Sequence, residues 1–134
     1  MPTPYQDRPL GAVAADASNE PYLAAARDGV LKLRRCTACS RVHWYPRPVC
    51  PYCQSDTEWV AAQGTGTIYS LTITRRAGPV PYALAFVTLD EGVTMMCNIV
   101  DCEDLDRLRI GQRVQVCFKA AEGGTMVPMF KPAR

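Results

Sequence analysis

Cys36-Thr37-Ala38-Cys39 and, ten residues further on, Cys50-Pro51-Tyr52-Cys53 set out a C-x2-C-x10-C-x2-C array. Each C-x-x-C pair folds as a tight knuckle that offers two thiolates. Four thiolates complete the tetrahedral shell that Zn2+ takes at about 2.3 Å in structural sites, and pairs at this spacing read as a zinc ribbon. Pro51 fixes φ inside the second knuckle, and Pro46 and Pro48 stiffen the approach to it. A disulfide pair and a redox C-x-x-C are the competing readings of the same residues. A closed four-thiolate shell leaves no position for water or substrate. Such a zinc is structural and names no reaction.

Composition narrows the rest. A chain of 134 residues has room for one ordinary domain, or for a small metal-held module beside one compact β domain. The formal net charge of +2 counts every cysteine as neutral. Four thiolates around one dication remove that excess, which weakens any electrostatic case for nucleic acid. No apolar run approaches the roughly 18 residues of a membrane span, and Met1-Pro2-Thr3-Pro4 does not read as a signal peptide. The expectation is a cytoplasmic protein without a membrane partner. Cys97, Cys102 and Cys117 stand in or beside apolar runs and read as small core residues in a reducing compartment.

Outward from the array the chain divides into four segments. Residues 1–20 are rich in Pro, Ala and Asp without a sustained period, and are expected to be a flexible arm. Residues 21–31 are expected to hold a helix, which packs on the chain's own domain or serves as a docking helix for another protein: Pro21 suits a first helical position, Ser18 or Asn19 is the cap, and Gly29 stops it. A helix this short needs a surface to pack on. Residues 32–62 are the zinc ribbon. From 63 to 134 the pattern becomes one of strands. Tyr69, Leu71 and Ile73 alternate with mostly polar neighbours, Tyr82 to Leu89 is apolar on both faces, and Asp90-Glu91-Gly92 turns it into Val93 to Val100. Leu105 and Leu108 stand at helical spacing in Cys102 to Ile110. Val114, Val116 and Phe118 alternate in the next strand, and Thr125 to Phe130 ends the set, with Pro128 arguing for an edge. Five strands with a helical element after the third match a five-stranded OB-fold barrel. The fold class is therefore mainly β: an N-terminal helix, a rubredoxin-like zinc ribbon, then the barrel.

The order of these features resembles the zinc-ribbon/OB-fold family long known as a domain of unknown function. The resemblance runs from about Tyr22 to Pro132. It rests on both knuckles, Trp59, Gly64-Thr65-Gly66-Thr67-Ile68-Tyr69-Ser70, Pro81-Tyr82, Leu89-Asp90-Glu91-Gly92, Leu108-Arg109-Ile110-Gly111-Gln112-Arg113-Val114 and Phe130-Lys131-Pro132. Ser40 departs from it, standing where the family commonly has Gly. The resemblance implies closure of the barrel and a small non-catalytic accessory subunit. Its partner would be a thiolase-like enzyme (thiolase, acyltransferase or lipid-transfer-protein-like aldolase) or a hotdog-fold hydratase. It also implies an acyl-CoA thioester as ligand or shared substrate of the barrel.

The residues themselves assemble no catalytic set. His43 is the only histidine and reads as a polar loop residue beside Trp44. Asp101, Glu103, Asp104 and Asp106 read as a solvated cap of the helical element. Arg75-Arg76-Ala77-Gly78-Pro79-Val80-Pro81-Tyr82 is the loop that suits CoA: Arg75 and Arg76 for phosphates, Tyr82 as a flat face for adenine or acyl group. An ordinary hairpin with solvated arginines is the other reading of that loop. A single-stranded nucleic-acid module needs a basic groove interleaved with aromatics, and a pure scaffold needs no ligand. Both remain as alternatives at this stage, as does the identity of the partner.

Overall fold

Glu20–Arg27 forms the one α-helix among the described residues, α1, with Asn19 as its N-cap. Asn19 holds its own turn instead of the helix amides: its Oδ1 accepts from the Asp16 N–H at 2.9 Å and its Nδ2 donates to the Ala14 carbonyl at 3.0 Å. The C-terminus closes as a Schellman motif. The Gly29 N–H reaches the Ala26 carbonyl, the Val30 N–H reaches Ala25, and Gly29 takes φ +77°. The helix buries Tyr22 and Ala26. The computed structural model describes residues 2–76 and 78–133. Met1 of the arm, Ala77 of the Arg75–Tyr82 loop and Arg134 lie outside the described residues.

Three antiparallel strands follow as a small sheet in the order β2-β1-β3: β1 is Lys32–Cys36, β2 Val42–His43 and β3 Thr57–Ala61. The register pairs Arg34 with both His43 and Trp59. The barrel then comprises β4 (Thr65–Thr74), β5 (Tyr82–Leu89), β6 (Thr94–Ile99), β7 (Arg113–Ala120) and β8 (Met126–Pro132). It is closed in the order β4-β5-β6-β8-β7. Closure needs two long-range pairings, antiparallel β4–β7 and the parallel contact of β6 with β8 at Ile99 and Phe130. That is the OB order.

Alternation does the packing. Ala83, Ala85, Val87 and Leu89 of β5 and Met95, Cys97 and Ile99 of β6 point inward and are buried. Phe86 and Met96 pair across the two strands on the outside, so the apolar outer face of β5 stays open to solvent. Leu31, Leu33 and Tyr22 belong to the same apolar cluster as Ile68, Leu89, Leu105 and Phe130, so helix, ribbon and barrel share one core. Gly66 sits where β4 pairs with β5 on one side (Leu89) and β7 on the other (Val114). A Cβ there would lie 2.6 Å from the Thr88 carbonyl oxygen, so the seam needs a residue without one.

The helical element expected over Cys102 to Ile110 shrinks to one 3-10 turn, Leu105–Arg107. Asp104 caps it by accepting from the Asp106 N–H at 3.0 Å. The same carboxylate accepts from the Thr3 N–H at 2.8 Å, which spends the acidic cluster on the arm as well as on the turn. Leu105 and Leu108 are both buried, because an i, i+3 pair satisfies a single tight turn as well as a longer helix. Residues 2–15, expected as a flexible arm, carry no regular secondary structure. They nevertheless lie against the barrel: the Leu105 N–H donates to the Thr3 carbonyl and the Glu122 N–H to the Leu10 carbonyl.

Candidate functional site

Two places in the fold gather chemistry, the ribbon tip and one mouth of the barrel. At the tip, the end of β1 and the loop before β3 bring the four array cysteines together, and their ligand atoms lie within 4.8 Å of one another. Cys36 Sγ is 3.4 Å from Cys53 Sγ, and Cys39 Sγ is 3.8 Å from Cys50 Sγ. A disulfide needs about 2.05 Å. A tetrahedron of sulfurs 2.3 Å from a central ion has edges of about 3.8 Å, so the cluster fits Zn2+ and not a cystine.

Each knuckle is built by its backbone. Cys36 Sγ accepts from the N–H groups of Ala38 and Cys39 at 3.3 and 3.2 Å, and Cys50 Sγ accepts from Tyr52 at 3.4 Å. Each turn closes through a left-handed residue, Ser40 (φ +64°) in the first and Gln54 (φ +66°) in the second. Hydrogen bonds from the Ser55 side chain and backbone pull the Cys53 thiol below its ordinary 9, while Cys39, against the pull of the Arg41 backbone, is pushed up by burial and the neighbouring thiols. Zinc bound here would hold β1, β2 and the second knuckle in one unit; its four protein ligands leave it no catalytic position.

The ribbon arginines are engaged locally. Arg34 stacks on Trp59, 4.2 Å from the ring centroid, and donates to the Thr57 carbonyl at 3.1 Å. Arg35 pairs with Glu58, and Arg41 lies over Tyr52. His43 departs from its reading as a polar loop residue: it ends β2, is buried, and accepts from the Arg47 N–H at 3.0 Å through Nε2. Burial, then the charges of Arg47 and Arg34, push the imidazole below its ordinary 6.5 and keep it neutral. It stands outside the four-sulfur group.

At the barrel mouth the loop residues separate. Arg75 turns to the arm and the 3-10 turn, donating to Thr3 Oγ1 at 2.8 Å and to Asp106 Oδ1 at 2.5 Å. Arg76 is exposed. Tyr82 instead lines a cavity of about 230 Å3 between arm and barrel, together with Tyr5, Arg8, Asn98, Lys119 and Met129. The Arg8 guanidinium lies over the Tyr82 ring, 4.4 Å from its centroid, and donates to Asn98 Oδ1 at 3.1 Å. Lys119 bonds Asp101 at 2.7 Å, and that partner first, then Asp7, raises its pKa.

Asn98, Lys119 and the arm residues were not legible as a group. The one available signal was Asn98, an amide inside the otherwise apolar run Met95 to Val100. Its Nδ2 donates to the Ala83 carbonyl, which leaves Oδ1 for the cavity.

With this geometry in hand, two family models match the chain. The ChsH2 rubredoxin-like zinc ribbon domain covers residues 23–60, and the ChsH2 C-terminal OB-fold domain covers residues 59–119. A protein of Thermomonospora curvata named "Probable enoyl-CoA hydratase alpha subunit" is 34% identical over 131 residues, 94% of this chain and 40% of that protein. A "DUF35 domain-containing scaffold protein" of Methanocaldococcus jannaschii is 32% identical over 92 residues, 63% of this chain and 64% of that one. The chain thus spans less than two thirds of the length of either relative. Among solved structures, one described as "Ltp2-ChsH2(DUF35) aldolase" matches with a TM-score of 0.77 at 33% identity, over 92% of this chain and 100% of that one. A DUF35-family protein of Sulfolobus solfataricus matches with a TM-score of 0.65 at 13% identity, which speaks for the fold alone.

Proposed function

The chain belongs to the ChsH2 (DUF35) family of zinc-ribbon/OB-fold proteins, and from that premise we propose that it is a non-catalytic accessory subunit of an acyl-CoA enzyme complex. The observation that carries the reading is its likeness, along that chain's whole length, to the ChsH2(DUF35)-type chain of an aldolase structure. A thiolase-like aldolase or acyltransferase is accordingly the first partner class. A hydratase is the second, supported by the printed name of the Thermomonospora relative. The chain carries no catalytic function of its own in this reading: the one histidine is buried and neutral, and the four array cysteines are grouped so that they could all ligate one zinc.

Within that complex the barrel mouth would take part of the acyl-CoA, with Arg75 and Arg76 toward phosphates and Tyr82 against the adenine or acyl face. The cavity beside Tyr82 supports this reading, as does the loop's composition. Zn2+ held by Cys36, Cys39, Cys50 and Cys53 keeps the ribbon folded, and α1 (Glu20–Arg27), within the segment 21–31 expected as a docking helix, docks the partner beside the arm of residues 1–20. A cytoplasmic setting goes with the same reading; no helix among the described residues is long and apolar enough to cross a membrane. Nucleic acid is disfavoured because the outer face of β5 and β6 presents Tyr82, Leu84, Phe86, Thr88, Thr94, Met96 and Asn98, with no cation in either row to hold a phosphate backbone.

Co-expression with untagged products of neighbouring genes tests the proposal. An aldolase, acyltransferase or hydratase subunit should co-purify, and its activity should depend on this chain. A monomer that turns over acyl-CoA unaided would refute it.

A further inference from the structure

We propose that Thr3 to Leu10 form a displaceable strap that competes with the coenzyme for the barrel mouth, an inference that rests on the acyl-CoA reading of that site. Both Arg75 and Tyr82 are engaged by this one segment. Arg75 donates to Thr3 Oγ1, and Tyr82 carries the Arg8 guanidinium on its ring. Arg8 occupies the position that a planar adenine or an acyl chain would take over the same face. A planar cation and a base cannot stack on one side of one phenol ring together, so ligand entry requires Arg8 to leave.

The strap is attached in the manner of a segment that opens. It is pinned near each end: Thr3 accepts from the Leu105 N–H at 2.7 Å, donates its own N–H to Asp104 at 2.8 Å and its hydroxyl to Asp106, and the Leu10 carbonyl accepts from the Glu122 N–H at 3.0 Å. Between those anchors Pro4 and Pro9 lack an N–H, and among the described residues no backbone hydrogen bond joins Pro4 to Pro9 with the barrel. The segment therefore lies on the barrel without pairing to it as a further strand. What holds its middle is side-chain contact: Arg8 to Asn98 and Tyr82, and Asp7 to Lys119 at 3.5 Å. Lifting it uncovers Tyr82, Asn98 and Lys119 and releases Arg75 from Thr3, while Asp106 stays with Arg75. The cavity of about 230 Å3 beneath it becomes an open groove.

The test titrates coenzyme A by calorimetry into the full chain, into a chain lacking residues 2–10, and into full-length Arg8→Ala, each with its partner subunit. Removing the strap should tighten binding about tenfold, as expected if the mouth is open roughly a tenth of the time, and Arg8→Ala should move part of the way. In the unaltered chain, hydrogen exchange at the Leu105 and Glu122 amides, whose acceptors belong to the strap, should speed up when coenzyme A is added. Equal affinity within twofold overturns the strap and leaves the coenzyme reading intact. Weaker binding without it overturns the strap and makes the segment part of the groove wall. No binding by any form overturns both.

Discussion

Asp90 holds Arg113 through two parallel bonds of 2.8 Å each, one from each guanidinium nitrogen to each carboxylate oxygen. The pair ties the β5–β6 turn to the start of β7, beside the start of β4, where the Asp90 carboxylate also accepts from the Thr65 hydroxyl. The Arg113 guanidinium, then Thr65, hold the carboxyl well below its ordinary 3.8. A carboxyl with a depressed folded-state pKa stabilises above the unfolded value, and that stabilisation is lost as pH falls toward the folded one. Asp90→Asn should lower the midpoint of thermal unfolding by a few degrees at pH 7, with the difference from wild type shrinking below about pH 4. Thermal scans of both proteins at stepped pH check this. A difference that does not change with pH would mean the pair contributes nothing through its charge.

Zinc should be present at one ion per chain and should be lost from a Cys36→Ser/Cys50→Ser double variant. Because the binding energy of such a site is largely folding energy, chelation should unfold the ribbon. Elemental analysis with circular dichroism measures both, and full zinc content in the double variant would remove these residues as ligands.

Ser40→Gly should stabilise the holo protein. A side chain held at φ +64° costs about 1–2 kcal/mol, while glycine costs about 0.4–1 kcal/mol through the freer unfolded chain. The expected net gain is between about 0 and 1.5 kcal/mol, read as a higher urea midpoint at unchanged slope. A lower midpoint would show that the Ser40 side chain makes a favourable contact outweighing its strain.

Gly66→Ala should do the reverse, and strongly. Its Cβ would meet the Thr88 oxygen at 2.6 Å, a Val87 methyl at 2.7 Å and the Leu89 Cα at 3.2 Å, and the paired β5 backbone has little room to yield. A loss of about 1–3 kcal/mol is expected for such overpacking. Loss of soluble, folded protein counts as the same result, whereas wild-type stability would mean that the β4–β5 seam relaxes freely.

In the complex, Arg75→Ala/Arg76→Ala should raise KM for the acyl-CoA substrate about fivefold, the equivalent of roughly 1 kcal/mol for exposed contacts. Zinc content and assembly should be unchanged. Affinity within twofold of wild type would make the loop an ordinary hairpin and the barrel a scaffold.

The strands of the barrel were legible because alternation is a local property: Ala83, Ala85, Val87 and Leu89 announce their face within one strand. The four thiolates were legible for the same reason, each pair closing over three residues. Closure was not, because nothing periodic in β4 says that Gly66 will meet Val114, and the family resemblance had to supply it. The turn at Leu105–Arg107 was overextended because Leu105 and Leu108 fit either helix type. The arm's hold on Asp104, Asp106 and Asn98 left no pattern, since single polar contacts between residues so far apart in sequence have no period to detect.

Leu31, Leu33 and Phe130 lie in one apolar cluster, and this has a consequence for how the protein is made. All four sulfur ligands are translated before the first barrel strand, so the knuckles can capture their metal while the ribosome is still reading β4. Beyond Tyr22 of α1, the buried residues that share a core with Leu31 and Leu33 come from the barrel, Ile68 first and Phe130 last. During this interval a nascent chain exposes leucine side chains meant for the interior, and a chaperone has a defined surface to shield.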